Sequence, residues 1–221
     1  TATVGDCFED NGTATVADLR SVDCGPGAYE VVRIFNGTTD LDSCKNVTAS
    51  DESVSYRRYQ RVLCLSYQSP AGNAYHAQAG DCVYGPNGPG VWHTTNCATG
   101  NFKVLATYRG AGDGAKCDGL RNYNQWKIQT GPNRDSDRLL CLSMNYPDDA
   151  GYATLNECLL KSGSDEKAVF TNVGSCAGSN VVVTGRSGTY DDEAFCQGYG
   201  WTTWRPNEYP KLAYTTCWRW K

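Results

Sequence analysis

The stretch Val62-Leu63-Cys64-Leu65-Ser66 returns as Leu139-Leu140-Cys141-Leu142-Ser143, and more loosely as Thr215-Thr216-Cys217-Trp218. Outward from these anchors, the 12 cysteines fall into three groups of four: Cys7, Cys24, Cys44, Cys64; Cys82, Cys97, Cys117, Cys141; Cys158, Cys176, Cys196, Cys217. The second and third cysteines stand 20 residues apart in every group, and the first cysteines recur after 75 and 76 residues. Spacing kept this closely marks an internal triplication. The intervening sequence agrees. Gly5-Asp6-Cys7 matches Gly80-Asp81-Cys82, with Asn156-Glu157-Cys158 as a degenerate third copy, and Asp40, Asp113 and Asp192 share one offset. Units are expected over residues 1–67, 78–144 and 154–221.

Each unit has a size at which an apolar core alone is marginal, so paired cysteines are a sufficient explanation for all 12. Zinc needs close ligand pairs such as C-x2-C, whereas the closest cysteines here, Cys82 and Cys97, are 15 apart and the chain has two histidines. Within a unit, Ala14–Asp23, Tyr29–Phe35 and Tyr59–Leu65 read as strands from their β-branched and aromatic content. In the second of these, Tyr29, Val31, Arg33 and Phe35 are expected on one face. Thr39-Asp40 supplies a cap for a short helix before Cys44. The fold class expected is therefore α+β and strand-rich: three tandem disulfide-stapled units, each with four to five strands and a short helix. A β-trefoil-like single domain is the alternative, since threefold repetition also suits that barrel.

Composition narrows the function classes. Net charge is −4 and the sequence pI about 5.2, which argues against nucleic acid or an anionic membrane surface as partner. Mean hydropathy is −0.52 and no window approaches the ~18 apolar residues of a membrane span. The cysteine load implies an oxidising, extracellular compartment. An opening Thr1-Ala2-Thr3-Val4, without Met or hydrophobic leader, is what a mature exported chain would show.

The run Val4-Gly5-Asp6-Cys7, with Val22-Asp23-Cys24, Ala28-Tyr29-Glu30-Val31-Val32, Gly37-Thr38-Thr39-Asp40, Cys44 and Val62-Leu63-Cys64-Leu65, resembles the LppU-type secreted and lipoprotein domains of actinobacteria. These in turn look like the septum-formation domain family. The likeness covers the first copy well and the second moderately, and rests mainly on cysteine spacing in the third. It implies an exported, disulfide-stapled domain and brings no catalytic residue with it. No lipobox cysteine lies near Thr1, so the chain looks freely secreted or held at the surface by protein contacts. Four cysteines per unit allow three pairings. The family's shorter forms suggest first with second and third with fourth, which also makes local loops.

No nucleophile with a placed base is found: His76 and His93 are expected in a solvent-exposed joint and a surface loop, and no G-x-S-x-G elbow exists. Asp40/Asp42, Asp135/Asp137 and Asp191-Asp192-Glu193 lack the spaced loop of a calcium motif and read as solvated turns. The chain is thus expected to be non-enzymatic, with no cofactor and no metal. The aromatic terminus stands out, because four of the 6 Trp lie within residues 199–221. Trp201, Trp204, Arg205, Tyr209 and Trp220 are candidate binding residues for a glycan or for a protein, self or other. Trp218 takes the slot of Leu65 and Leu142 and is expected in the core. The whole −4 sits in residues 1–66, with 6 basic and 10 acidic side chains, so an acidic head and an aromatic, Arg-bearing tail would support head-to-tail contact. The function expected is that of a structural or binding component of the cell exterior, acting through surfaces and self-assembling head to tail. A carbohydrate-binding module, and an extracellular hydrolase or hydrolase inhibitor, are the alternatives.

Overall fold

The computed structural model describes residues 1–221 apart from 14, 111 and 133–135. Segments rich in Val, Tyr and Thr become strands, and each unit builds one antiparallel sheet from five of them. The first sheet comprises β1 (Cys7–Asp10), β2 (Leu19–Val22), β3 (Tyr29–Asn36), β4 (Glu52–Tyr56) and β5 (Arg61–Tyr67). The second comprises β6 (Cys82–Tyr84), β7 (His93–Thr95), β8 (Phe102–Arg109), β9 (Gln125–Gln129) and β10 (Arg138–Met144). The third comprises β11 (Cys158–Ser162), β12 (Val169–Thr171), β13 (Val181–Ser187), β14 (Gly200–Trp204) and β15 (Tyr214–Trp220). All three share one strand order, β2-β1-β3-β5-β4 in the first.

Two expectations are corrected. The fold is not α+β: among the described residues there is no α-helix, and the expected helix of each unit is a four-residue 3-10 turn, at Leu41–Cys44, Gly114–Cys117 and Glu193–Cys196. The cause is local. Asp40 and Asp113 cap their turns by accepting from the amides of Asp42 and Ala115, but the turn ends at a cysteine tied to the inner strand β5 or its counterpart. Only one turn fits between the cap and that tether. Nor do the units share a trefoil barrel; the three sheets are separate.

The strand β3 also departs from simple alternation. Its register with β5 slips between Val31 and Arg33, and equivalent slips occur in the second and third sheets at Leu105 and Thr184. An extra residue of this kind is a β-bulge. Tyr29 and Val31 pack with Leu63 and Leu65, whereas Val32 and Phe35 pack on the opposite face around Cys44 and Cys64. The first strand expected over 14–23 is confined to Leu19–Val22, with residue 14 outside the described residues, and the last is shifted to Arg61–Tyr67.

Six disulfides join Cys7–Cys24, Cys44–Cys64, Cys82–Cys97, Cys117–Cys141, Cys158–Cys176 and Cys196–Cys217, leaving no free cysteine. In each unit one bridge ties the first strand to the loop after the second. The other ties the 3-10 turn to β5, β10 or β15, the strand beside the central one. Glycines sit beneath rings where strands need close approach: a Cβ on Gly200 would lie 2.5 Å from the Trp218 ring paired with it.

The segments joining the sheets are packed, not free. Between the first and second sheets, Asn73 caps a 3-10 turn (Ala74–His76), and Ala74 and Ala77 are buried in the second sheet's core with Val83, Phe102 and Leu140. The backbone there extends the sheet: Ala74 donates to Trp92 O and Thr94 donates to Gly72 O, both at 2.8 Å. Between the second and third sheets, Asp148 caps a turn (Asp149–Gly151), and Ala150 and Ala153 pack with Leu159, Val181 and Trp218.

Candidate binding surfaces

The five candidate residues of the aromatic terminus go to separate places. Tyr209 lies in the β14–β15 loop, only 2% exposed, and reaches out of its own sheet into the core of the second. Its ring meets Phe102 edge-on with centroids 4.8 Å apart, and its hydroxyl donates to Gly85 O at 2.5 Å. Trp204 is half-buried in the same junction, edge-on to Tyr146. Burial raises the Tyr209 phenol well above its ordinary range, with Tyr84 and Glu208 adding to the effect. These two aromatics are spent on joining sheets.

Trp201 lies on the other face of β14, half-buried opposite Cys217. Arg205 is exposed and stacks at 4.4 Å over the ring of Tyr190, which is itself exposed. Trp220 is 57% exposed, at the end of β15, edge-on to the 8%-exposed Trp218 at 5.4 Å. Lys161 completes this corner. Its ammonium lies 5.3 Å from the Trp218 ring and 5.5 Å from Trp220, and pairs with Asp165 at 2.9 Å. The structure therefore gathers no single platform from the five; Trp220 keeps an outward face, on a bed of Trp218 and Lys161. Lys161 carries no signal in the sequence, since it is not near the aromatic cluster along the chain.

The strand register explains why Trp220 is open. Its counterparts are Tyr67 in β5 and Met144 in β10. Tyr67 is covered by Tyr75 of the first joint, centroids 5.4 Å apart, and Met144 is fully buried beside the second. Among the described residues no segment covers Trp220 in that way.

Other groups are structural. His76, expected in a solvent-exposed joint, is half-buried: it stacks edge-on against Tyr75 and its Nε2 lies 2.6 Å from Tyr67 O. His93 is exposed on β7. Asp40 and Asp42 serve the first 3-10 turn, Asp42 pairing with Lys45, and Asp192 accepts from the Ser187 hydroxyl. Asp135 lies outside the described residues. Across the first junction, Arg138 pairs with Asp51 at 2.5 Å with both side chains buried, and Tyr75 donates to Ser136 O while its ring flanks the guanidinium. No group of three or more potential metal ligands occurs among the described residues.

No known protein family, curated protein or solved structure matches the chain. The six disulfides point to an extracellular protein, and among the described residues no helix is long and apolar enough to cross a membrane.

Proposed function

We propose that the chain is a secreted, non-enzymatic component of the cell exterior that binds another protein through the exposed aromatic corner at the end of β15 in its third sheet. The observation that carries this reading is Trp220: its two counterparts are covered by a neighbouring segment, while it stands more than half exposed on an aromatic and cationic bed. An exposed Trp is among the residue types most enriched at contact hot spots. A second copy joined head to tail is the partner that the charge distribution favours, because the first unit is acidic and this end of the third sheet exposes Arg219. The likeness to LppU-type domains fits an exported role of this kind and supplies no chemistry.

The test is sizing of the wild type against Trp220→Ala over a range of concentrations. Association above 24.1 kDa that the substitution removes, with an unchanged melt, supports the reading. Wild type and variant that are both monomeric at all concentrations, together with binding on a glycan array that needs Trp220, would replace it with a carbohydrate-binding one.

A further inference from the structure

The residues joining β6 to β7, Gly85-Pro86-Asn87-Gly88-Pro89-Gly90-Val91-Trp92, are peculiar to the second unit, since the corresponding stretches 11–18 and 163–168 contain no proline. The loop reaches the edge strand β9, where the Lys127 ammonium donates to Gly88 O at 2.8 Å. Between loop and strand lies a cleft of about 410 Å³, within the range of small-molecule sites. Its apolar lining includes Pro86, Pro89, Trp92 and Trp126, while its polar members are Asn87, Gln125 and Lys127, with no Asp or Glu among the described residues. Trp126 is 40% exposed, and its ring is seated over Gly114, where a Cβ would lie 2.4 Å from it. Trp92 lines the cleft from the core side, and its buried indole N–H has no partner. An unmet buried donor is costly unless an acceptor is supplied.

The counterparts of Lys127 are Val54, packed in the first sheet's core, and Thr202. A lysine at this position has a structural use, clipping the loop to β9 and blunting a free sheet edge. That use engages one ammonium proton with a neutral carbonyl, and among the described residues Lys127 forms no ion pair. It accounts neither for the exposed Trp126 nor for the unmet Trp92 N–H.

We propose that this cleft binds an acidic sugar residue of a polysaccharide, with the carboxylate on Lys127. Charge-assisted bonds of this kind are stronger than neutral ones. The Trp126 indole and the two proline rings offer apolar surfaces for the C–H face of a pyranose. Gln125 Oε1 accepts from the Trp126 amide at 3.2 Å, which leaves its NH2 group, with the exposed Asn87 amide, to meet ring hydroxyls. A protein strand laid along β9 is the poorer fit, because Pro86 and Pro89 remove two backbone donors from the wall that would face it. The cleft shares no residue with the Trp220 corner, so the inference stands apart from the function proposed above.

The probes are oligosaccharides of glucuronic, galacturonic and mannuronic acid and a sialic-acid-terminated one, each with its neutral counterpart, titrated into the full chain by calorimetry. Saturable binding of at least one acidic probe is expected, about tenfold or more tighter than its neutral counterpart. That preference should shrink as salt rises. Lys127→Met keeps an apolar stem beside Trp92 and should bring the acidic and neutral forms within about twofold of each other. Trp126→Ala should weaken both forms about tenfold. Should that variant melt below the wild type, Asn87→Ala in the exposed loop tests the cleft instead, with a several-fold loss expected. No saturable binding of any acidic probe, equal affinity for acidic and neutral forms, or an acid preference that survives Lys127→Met would each overturn the inference. So would binding that is lost in Trp220→Ala and kept in Trp126→Ala, which would place glycan recognition at the other corner.

Discussion

Replacing Tyr209 by Ala removes a side chain of the third unit that is buried among the core residues of the second. A buried Tyr takes of the order of 200 Å² out of water, about 5 kcal/mol at ~25 cal/mol/Å², and that is an upper figure because the unfolded chain is partly compact. Aromatic truncations in cores cost about 3–5 kcal/mol, and we expect that range here, since the ring is hemmed by Phe102, Trp92 and Tyr84 and the site has little room to collapse. For a chain of this size the melting temperature should fall by about 6–20 °C. Tyr209→Phe keeps the ring and loses only the bond to Gly85 O, so it should cost about 1 kcal/mol. Urea unfolding followed by tryptophan fluorescence, with calorimetry, measures both; Trp92 touches the Tyr209 ring and reports on the junction. If the joined sheets unfold together, the Ala variant should also split one transition into two. A loss below about 1 kcal/mol for Tyr209→Ala with an unaltered single transition would refute the view that this ring couples the units, as would Phe costing as much as Ala.

Trp218→Ala should cost about 3–5 kcal/mol, while Trp220→Ala should leave the melt nearly unchanged, as paired thermal melts will show. Arg138→Met strands the buried Asp51 carboxylate and should cost about 3–5 kcal/mol, most of it regained when Asp51→Asn is added, measured by urea unfolding. Burial raises the carboxyls of Asp148 and Glu52 above their ordinary values of 3.8 and 4.5, with Asp149 adding at the first and Asp10 and Asp51 at the second. The folded state then holds these protons more tightly than the unfolded chain, so their contribution to stability is largest at low pH and falls as pH rises from those values through the raised ones. The Asp148→Asn/Glu52→Gln double variant should therefore gain stability relative to wild type at neutral pH and lose that advantage below the ordinary values, read from melts across the pH range.

Much of the architecture is legible in the chain because cysteines in a triplicated pattern mark equivalent positions directly, and Val/Tyr-rich segments such as Tyr29–Phe35 name the central strands. The helix is misread for a physical reason: an Asx cap announces any tight helical turn, and only the tether of Cys44 to Cys64 limits it to the 3-10 form. The strand β4 escapes notice because Glu52-Ser-Val-Ser-Tyr exposes polar groups at an edge and has little apolar content. The junctions are hidden more deeply. Asp51 and Arg138 stand 87 residues apart with no repeat to pair them. The joint turns do leave a trace, since Ala74/Ala77 and Ala150/Ala153 share the offset of 76 that separates Cys82 from Cys158. Tyr209 looks like a surface aromatic because nothing in its own unit explains it; its pocket belongs to another sheet.

The residues at the junctions have a further consequence, for the history of the triplication. Tyr209 can enter the second unit because Gly85 stands where the first unit has Asp10 and the third has Lys161, and a Cβ at Gly85 would already strike the Trp92 ring. Arg138 finds its acid only in the unit that precedes it, since the counterpart of Asp51 is Asn124 in the second unit and Tyr199 in the third. Once duplicated, the copies became non-interchangeable parts. A gene in which the second and third units are transposed would encode the same cysteines, yet set Tyr209 against Asp10 in place of Gly85 and Arg138 against no acid. Linear order in this chain is thus fixed by chemistry at the seams even where the repeats themselves are alike.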